Sequence, residues 1–318
     1  MSISMNSVFS GGWKNIKKNP ILFVPSILHF IFTSILLFVI GIVFVIVFPD
    51  GLTVLINSYS EFIVNADIDL LMNSWAEFIR FLLLAGAIYV FISVLLKFYF
   101  QAGLIGMSND VSKTGETKLS KMFFYGNKSF LRYLFTSILI SLIILIPVFL
   151  YALLFGILFL LPSEFAILLF IILIVLMLPF LLIYLIYLII VSLYLYFVLY
   201  AVVIDSLPVI ASTRKSIALF KANKSDVIIF FLIIMAISMA VGMISSFFSY
   251  LGVIPVIGFI FYLLYFLLSL FISIFLSAVI TMWETRMYLM LTNNFIEEID
   301  NATNEIDETA QEDEDWNR

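Results

Sequence analysis

Six stretches of this chain are nearly free of charge and strongly apolar: 21–48, 81–96, 133–163, 165–204, 227–250 and 253–283. A helix needs about 20 apolar residues to cross the hydrocarbon core of a bilayer. Each central Leu, Ile, Val or Phe favours insertion by roughly 0.3–0.6 kcal/mol. The expected fold is therefore all-α, a polytopic membrane protein with six transmembrane helices. The second run is short, so its helix is expected to begin near Trp75 and continue past Lys97 to Met107. Composition agrees: 64% of residues are apolar and 12% charged, against about 45–50% and about 25% in soluble domains. The same figures exclude a disordered chain. The first run, 28 residues long, exceeds the about 7–15 residues of a secretory core and lacks a small-residue cleavage site. It reads as the first span.

Charge counts the spans and orients them. Between Tyr133 and Ile204 the only charged residue is Glu164. Basic segments flank that stretch: Lys113, Lys118, Lys121, Lys128 and Arg132 before it, Arg214, Lys215, Lys221 and Lys224 after it. Short basic loops stay cytoplasmic, so an even number of spans separates them. Four spans with three turns do not fit in these 72 residues. Two long helices remain, turning at Pro162-Ser163-Glu164, with kinks expected at Pro147 and Pro179. Lys14, Lys17 and Lys18 precede the first span, and the loop after it carries acids but no Lys or Arg. Of 16 bases only Arg80 falls outside. Both termini are thus expected in the cytoplasm. The expected spans are 21–48, 76–106, 131–161, 165–204, 226–249 and 254–283, after an interfacial helix over 1–20.

Each pair of spans is introduced by a short basic, amphipathic segment: 8–19, 119–132 and 208–224. Phe9, Trp13 and Ile16 keep helical spacing in the first, Leu119, Met122, Phe123 and Phe130 in the second, Ile210, Ile217 and Phe220 in the third. Basic and aromatic residues on an amphipathic helix favour the headgroup plane. The expected architecture is three repeated units, each an interfacial amphipathic helix followed by a transmembrane hairpin. Another amphipathic helix is expected over 52–63 on the outer surface.

Chemistry-bearing residues are sparse. The chain has no cysteine and one histidine, His29, so thiolate and two-histidine metal sites are excluded within it. No Walker loop, GxSxG or HExxH occurs. No metal, cofactor or nucleic-acid partner is expected. No span carries a charge at its midplane, which opposes an ion-coupled transporter. Glu284 and Arg286 are two residues apart and do not face each other on a helix. They either anchor the interface beside Trp283 or form a binding or gating pair at the inner mouth, Glu284 with Arg214 or Lys215. Lys97 is placed to snorkel, ahead of Gly103-Leu-Ile-Gly106, where small residues allow close helix packing. Asp205 and Asp226 bracket the third interfacial segment, Asp226 as a helix cap. His29 is expected to face the interior. Asp67-Ile-Asp69 lacks supporting ligands. The candidate contacts for lipid headgroups or an inner mouth are Lys17, Lys18, Lys97, Lys128, Arg132, Asp205, Arg214, Lys215, Lys221, Lys224, Glu284 and Arg286. The segment 293–318 carries ten acids and one base and is expected to be a disordered cytoplasmic tail. Trp316 makes it a candidate site for a protein partner.

Tyr200-Ala-Val-Val-Ile-Asp205 followed by Ser216-Ile-Ala-Leu-Phe-Lys-Ala-Asn223, with Trp283-Glu284-Thr285-Arg286 closing the sixth run, resembles a known family. It is similar to the six-helix membrane domain fused to some bacterial glycerophosphodiester phosphodiesterases, and to its stand-alone prokaryotic relatives. The resemblance spans about residues 9–291 and implies six helices with an acidic residue ending the fourth. No hydrolase domain follows the sixth run, so phosphodiesterase activity is not implied.

Three functions fit these features. The first is a non-catalytic membrane protein that binds anionic lipid or acts as a scaffold, in the cell membrane. The second is a transporter or channel for an apolar or amphiphilic solute. The third is an enzyme acting on lipid headgroups, which needs several of Asp110, Glu116, Asp205, Asp226 and Glu284 to converge. The first is the expectation taken forward.

Overall fold

A computed structural model describes residues 3–47, 68–157, 163–251 and 258–292. Its regular elements are helices. In chain order they are α1 (Met5–Lys18), a short 3-10 turn (Pro20–Phe23), α2 (Val24–Val47), α3 (Ile68–Thr114), α4 (Leu119–Ile157), α5 (Ser163–Leu195), α6 (Val198–Ile204), α7 (Val209–Ala222), α8 (Lys224–Leu251) and α9 (Gly258–Leu291). Among the described residues, six segments are long and apolar enough to cross a membrane: Pro20–Val47, Phe78–Thr114, Leu119–Ile157, Ile172–Ile204, Lys224–Phe248 and Leu263–Leu291. Their outward faces carry Phe38, Leu83, Leu182, Phe247 and Phe271, each at least 60% exposed. In water that surface is untenable, and in lipid it is the solvated face. The chain is a multi-pass membrane protein. The turn at Pro162, the 52–63 helix, Asp67 and the 293–318 tail lie outside the described residues.

Contacts divide the chain into two compact units, Val24–Gln101 and the combination of Met1–Phe23 with Ala102–Arg318. Within Val24–Gln101, Phe44 packs on Phe78 and Phe81, and Phe32 stacks on Phe100 at 5.9 Å. His29 is half-buried there. Its Nε2 lies 3.4 Å from the Ser93 carbonyl, and its ring meets Phe100 edge-on.

The larger unit is organised by helix ends. Helix α1 stops at Asn19, whose N–H bonds the carbonyls of Asn15 and Ile16. The next residue is Pro20, which disfavours helical backbone at Asn19. The Asn19 amide then donates to Gly115 O at 2.9 Å. Gly115 has φ +77° and ends α3 in the left-handed conformation that glycine tolerates. Helix α7 ends the same way: the Asn223 N–H bonds Leu219 O and Phe220 O, with φ −130° against −126° at Asn19. Asp226 then sits in the first turn of α8, where negative charge favours the helix N-terminus.

One expectation changes. The second amphipathic segment, 119–132, is no separate helix. It runs unbroken into its span as α4, and Asn127-Lys128-Ser129 lies mid-helix. The same tripeptide recurs at Asn223-Lys224-Ser225, but Phe130 stands where Asp226 would restart a helix, and no proline follows Asn127. Pro147 and Pro179 are both enclosed within continuous helices. The fourth span is interrupted at Tyr196-Phe197, between α5 and α6.

Candidate functional site

The helix interruption carries two orphaned backbone groups, and α7 supplies a side chain for both. The Phe197 N–H donates to Ser216 Oγ at 3.2 Å, and that hydroxyl donates to Tyr194 O at 2.9 Å. Ser216 is fully buried. One hydroxyl thus replaces the missing rung of the helix ladder and ties α7 to the fourth span. Ser216→Ala removes the acceptor and leaves a buried amide unsatisfied. A loss of about 1–3 kcal/mol is expected, read as a lower thermal midpoint in detergent. Ser216→Thr, which keeps the hydroxyl, should retain more of it.

Below the break lies a chain of tyrosines and carboxylates. Glu284 on α9 accepts from the Tyr196 hydroxyl at 2.6 Å and from the Tyr200 hydroxyl with its other oxygen. Tyr133 on α4 lies within electrostatic reach of the same carboxylate and is 4% exposed. The Tyr200 ring faces the Tyr288 ring at 6.2 Å. The Tyr288 hydroxyl donates to Asp205 Oδ2, which also accepts from Lys215 Nζ at 2.7 Å. Asp205 ends α6, and Lys215 lies on α7. Four helices are therefore joined by one polar line.

The connection from α6 to α7 is pinned separately. Ser206 takes a positive φ of 56°, a conformation uncommon outside glycine. Arg132 Nη1 donates to its carbonyl. The arginine thus reaches from α4 to hold the bend that aims α7.

The N-terminal helix is fastened to α9 by close approach. Trp283 Nε1 donates to Phe9 O at 3.1 Å, and Arg286 Nη2 to Ser7 O at 3.1 Å. A Cβ added at Gly11 would fall 2.4 Å from Arg286 Nη2, and one at Gly12 2.5 Å from Trp283 Cδ1. Two successive glycines on α1 therefore make the seat for these side chains. Phe9 also stacks on Phe230 and meets Trp283 edge-on.

The sequence-derived candidates separate into two sets. Arg132, Asp205, Lys215, Glu284 and Arg286 are half-buried or buried and bind other helices. Glu284 takes tyrosines as partners, not Arg214 or Lys215, because Lys215 is already held by Asp205. Lys17, Lys18, Lys128, Arg214, Lys221 and Lys224 are exposed. Lys17 lies 5.5 Å from the centre of the Trp13 ring, and Lys121 and Lys128 each 5.9 Å from that of Phe124. Lys97, also exposed, belongs to the Val24–Gln101 unit. Asp226 sits in the first turn of α8 and accepts the Ile3 N–H at 3.3 Å. Asp110 accepts from the Tyr125 hydroxyl at 2.6 Å. Among the described residues no three His, Asp or Glu side chains gather as a metal site would require.

Sequence reasoning missed Tyr133, Tyr196, Tyr200 and Tyr288. The i, i+4 spacing of Tyr196 and Tyr200 was the available signal, since it puts both hydroxyls on one helix face. The quoted motifs acquire a meaning here. Ser216 fills the break, Asp205 anchors Lys215, Trp283 and Arg286 fasten α1 to α9, and Glu284 ties the fourth span to it. A family model described as "Domain of unknown function (DUF7847)" matches residues 3–291. The chain belongs to the DUF7847 family. The match begins with α1 and ends with α9, so both fastened helices fall inside it. No curated protein and no solved structure matches the chain significantly.

Proposed function

We propose that this protein is a non-catalytic, lipid-interacting membrane protein that presents a fixed basic face to anionic headgroups. The observation that carries the reading is the division of polar labour. Carboxylates and buried bases are used to fasten α1 and α7, while Lys17, Lys18, Lys128, Arg214, Lys221 and Lys224 stay exposed. Each such base near an anionic leaflet is worth roughly 1 kcal/mol. Both termini then lie in the cytoplasm and the chain in the cell membrane, as the distribution of Lys and Arg implies. Matching caps at Asn19 and Asn223 support a threefold repeat whose middle copy has its interfacial segment fused to its span. The architecture suits kinship with the membrane domain of glycerophosphodiester phosphodiesterases, without their chemistry.

The test is native mass spectrometry of gently extracted protein. Replacing Lys17, Lys18, Lys221 and Lys224 by Gln is expected to strip retained phosphatidylglycerol by at least tenfold relative to phosphatidylcholine, since four charges at about 1 kcal/mol each exceed the 1.4 kcal/mol of one decade. Retention that ignores the four lysines sinks the proposal.

A second reading has its own observation. The interruption at Tyr196-Phe197 lies beside Glu284, and broken spans mark the binding sites of transporters. Flux of an amphiphile into proteoliposomes, abolished by Glu284→Gln with lipid retention intact, would favour transport.

A further inference from the structure

The basic face has a counterpart of opposite sign in the same chain. Residues 293–318 carry ten acids against one base, whereas the rest of the chain has 15 bases and 11 acids. We infer that this acidic segment docks on the exposed lysines around the α7–α8 junction and competes there with anionic lipid. The inference rests on the lipid reading given above and adds its regulator.

Geometry places the two charges together. The segment begins after Thr292, whose N–H still bonds Tyr288 O at 3.0 Å. Two residues back, Met290 Sδ accepts from Ser7 Oγ at 3.8 Å, and four residues before Ser7 the Ile3 N–H reaches Asp226. That point therefore adjoins the start of α8. Lys224 lies two residues before Asp226, and Lys221 one turn earlier, both exposed. Twenty-six residues reach at most about 90 Å when extended, so the exposed lysines of α1 are accessible as well. Tethering puts the acids at an effective concentration of the order of millimolar. An anionic leaflet repels the same segment, so the lysines are the favourable place for it near the membrane. Charge is the recognition, and ionic strength is the control.

The native chain has no cysteine, which allows a clean cross-link. Ala222→Cys at the exposed end of α7 is paired with Ala310→Cys, in full-length protein in phosphatidylcholine nanodiscs. Oxidation is expected to form an intrachain disulfide at low salt. The yield should fall severalfold at 1 M salt, where the screening length drops to about 3 Å. It should fall equally when the ten acids are replaced by Asn and Gln. A yield insensitive to both changes, or a disulfide that joins two chains, overturns intrachain docking. In a second arm, truncation after Thr292 should raise phosphatidylglycerol retention severalfold. Lysine-dependent retention without a cross-link removes the docking and leaves the lipid reading. A salt-sensitive cross-link with retention indifferent to the lysines keeps the docking and removes the lipid reading.

Discussion

Replacing Glu284 by Ala should lower stability more than any other single substitution on α9. The carboxylate is the acceptor for two tyrosine hydroxyls that reach it from the broken fourth span. Its loss strands both. An unsatisfied buried donor costs about 1–3 kcal/mol, so the pair amounts to about 2–6 kcal/mol. Glu284→Gln keeps one acceptor oxygen and should lose roughly half as much. The informative variant removes all three partners together, as Tyr196→Phe, Tyr200→Phe and Glu284→Met. Replacing a complete buried polar group by apolar side chains of similar volume is often nearly neutral. The triple variant should therefore regain much of what Glu284→Ala loses, as read from thermal unfolding in detergent. If it is as unstable as the single variant, the carboxylate serves more than the two tyrosines.

Gly103→Ala and Gly106→Ala should each destabilise the contact between α3 and α4, Gly106→Ala by more. A Cβ on Gly106 would stand 2.1 Å from Tyr125 Cγ and 2.5 Å from Tyr125 Cβ. The base of that ring has no freedom to swing aside, and its hydroxyl is held by Asp110 at 2.6 Å. At Gly103 the obstacle is the Met122 carbonyl, 2.8 Å away, which moves only if α4 moves. Overpacking costs about 1–3 kcal/mol. At Gly106 the hydrogen bond to a carboxylate is also broken, adding about 1.5–3 kcal/mol. The controls are Gly41→Ala and Gly156→Ala, where an added Cβ meets nothing within 4 Å. Those should be neutral or stabilise by up to about 1 kcal/mol through helix propensity. Equal effects at Gly41 and Gly106 would contradict the packing described here.

The exposed apolar grooves have a different character. One runs along Leu82, Gly86, Val90 and Val94, another along Met239, Gly242, Ser246 and Tyr250. In a bilayer such grooves are filled by acyl chains, so they bear on lipid solvation and not on the polar lock.

Apolar runs and charge placement determined, without any structure, that the chain is all-helical with six helices able to span a membrane. The reason is local: a backbone in lipid must satisfy its own hydrogen bonds, and only a run of about 20 apolar residues does so cheaply. Glycines 103 and 106 were legible as a place where close packing is allowed, but Gly41 and Gly156 meet nothing within 4 Å, so only the fold decides which glycines are used. Pairing was not legible. Glu284 sits 88 residues from Tyr196, and Arg286 sits 279 from Ser7. Nothing in the spacing chooses Tyr196 over Lys215 as the partner of Glu284. Nor do prolines mark the interruption of the fourth span, because the break at Phe197 persists through Ser216, a residue from another helix. Helix ends at Asn19 and Asn223 close on carbonyls of their own helix. A helix end satisfied from outside is decided only when the fold brings that outside residue into reach.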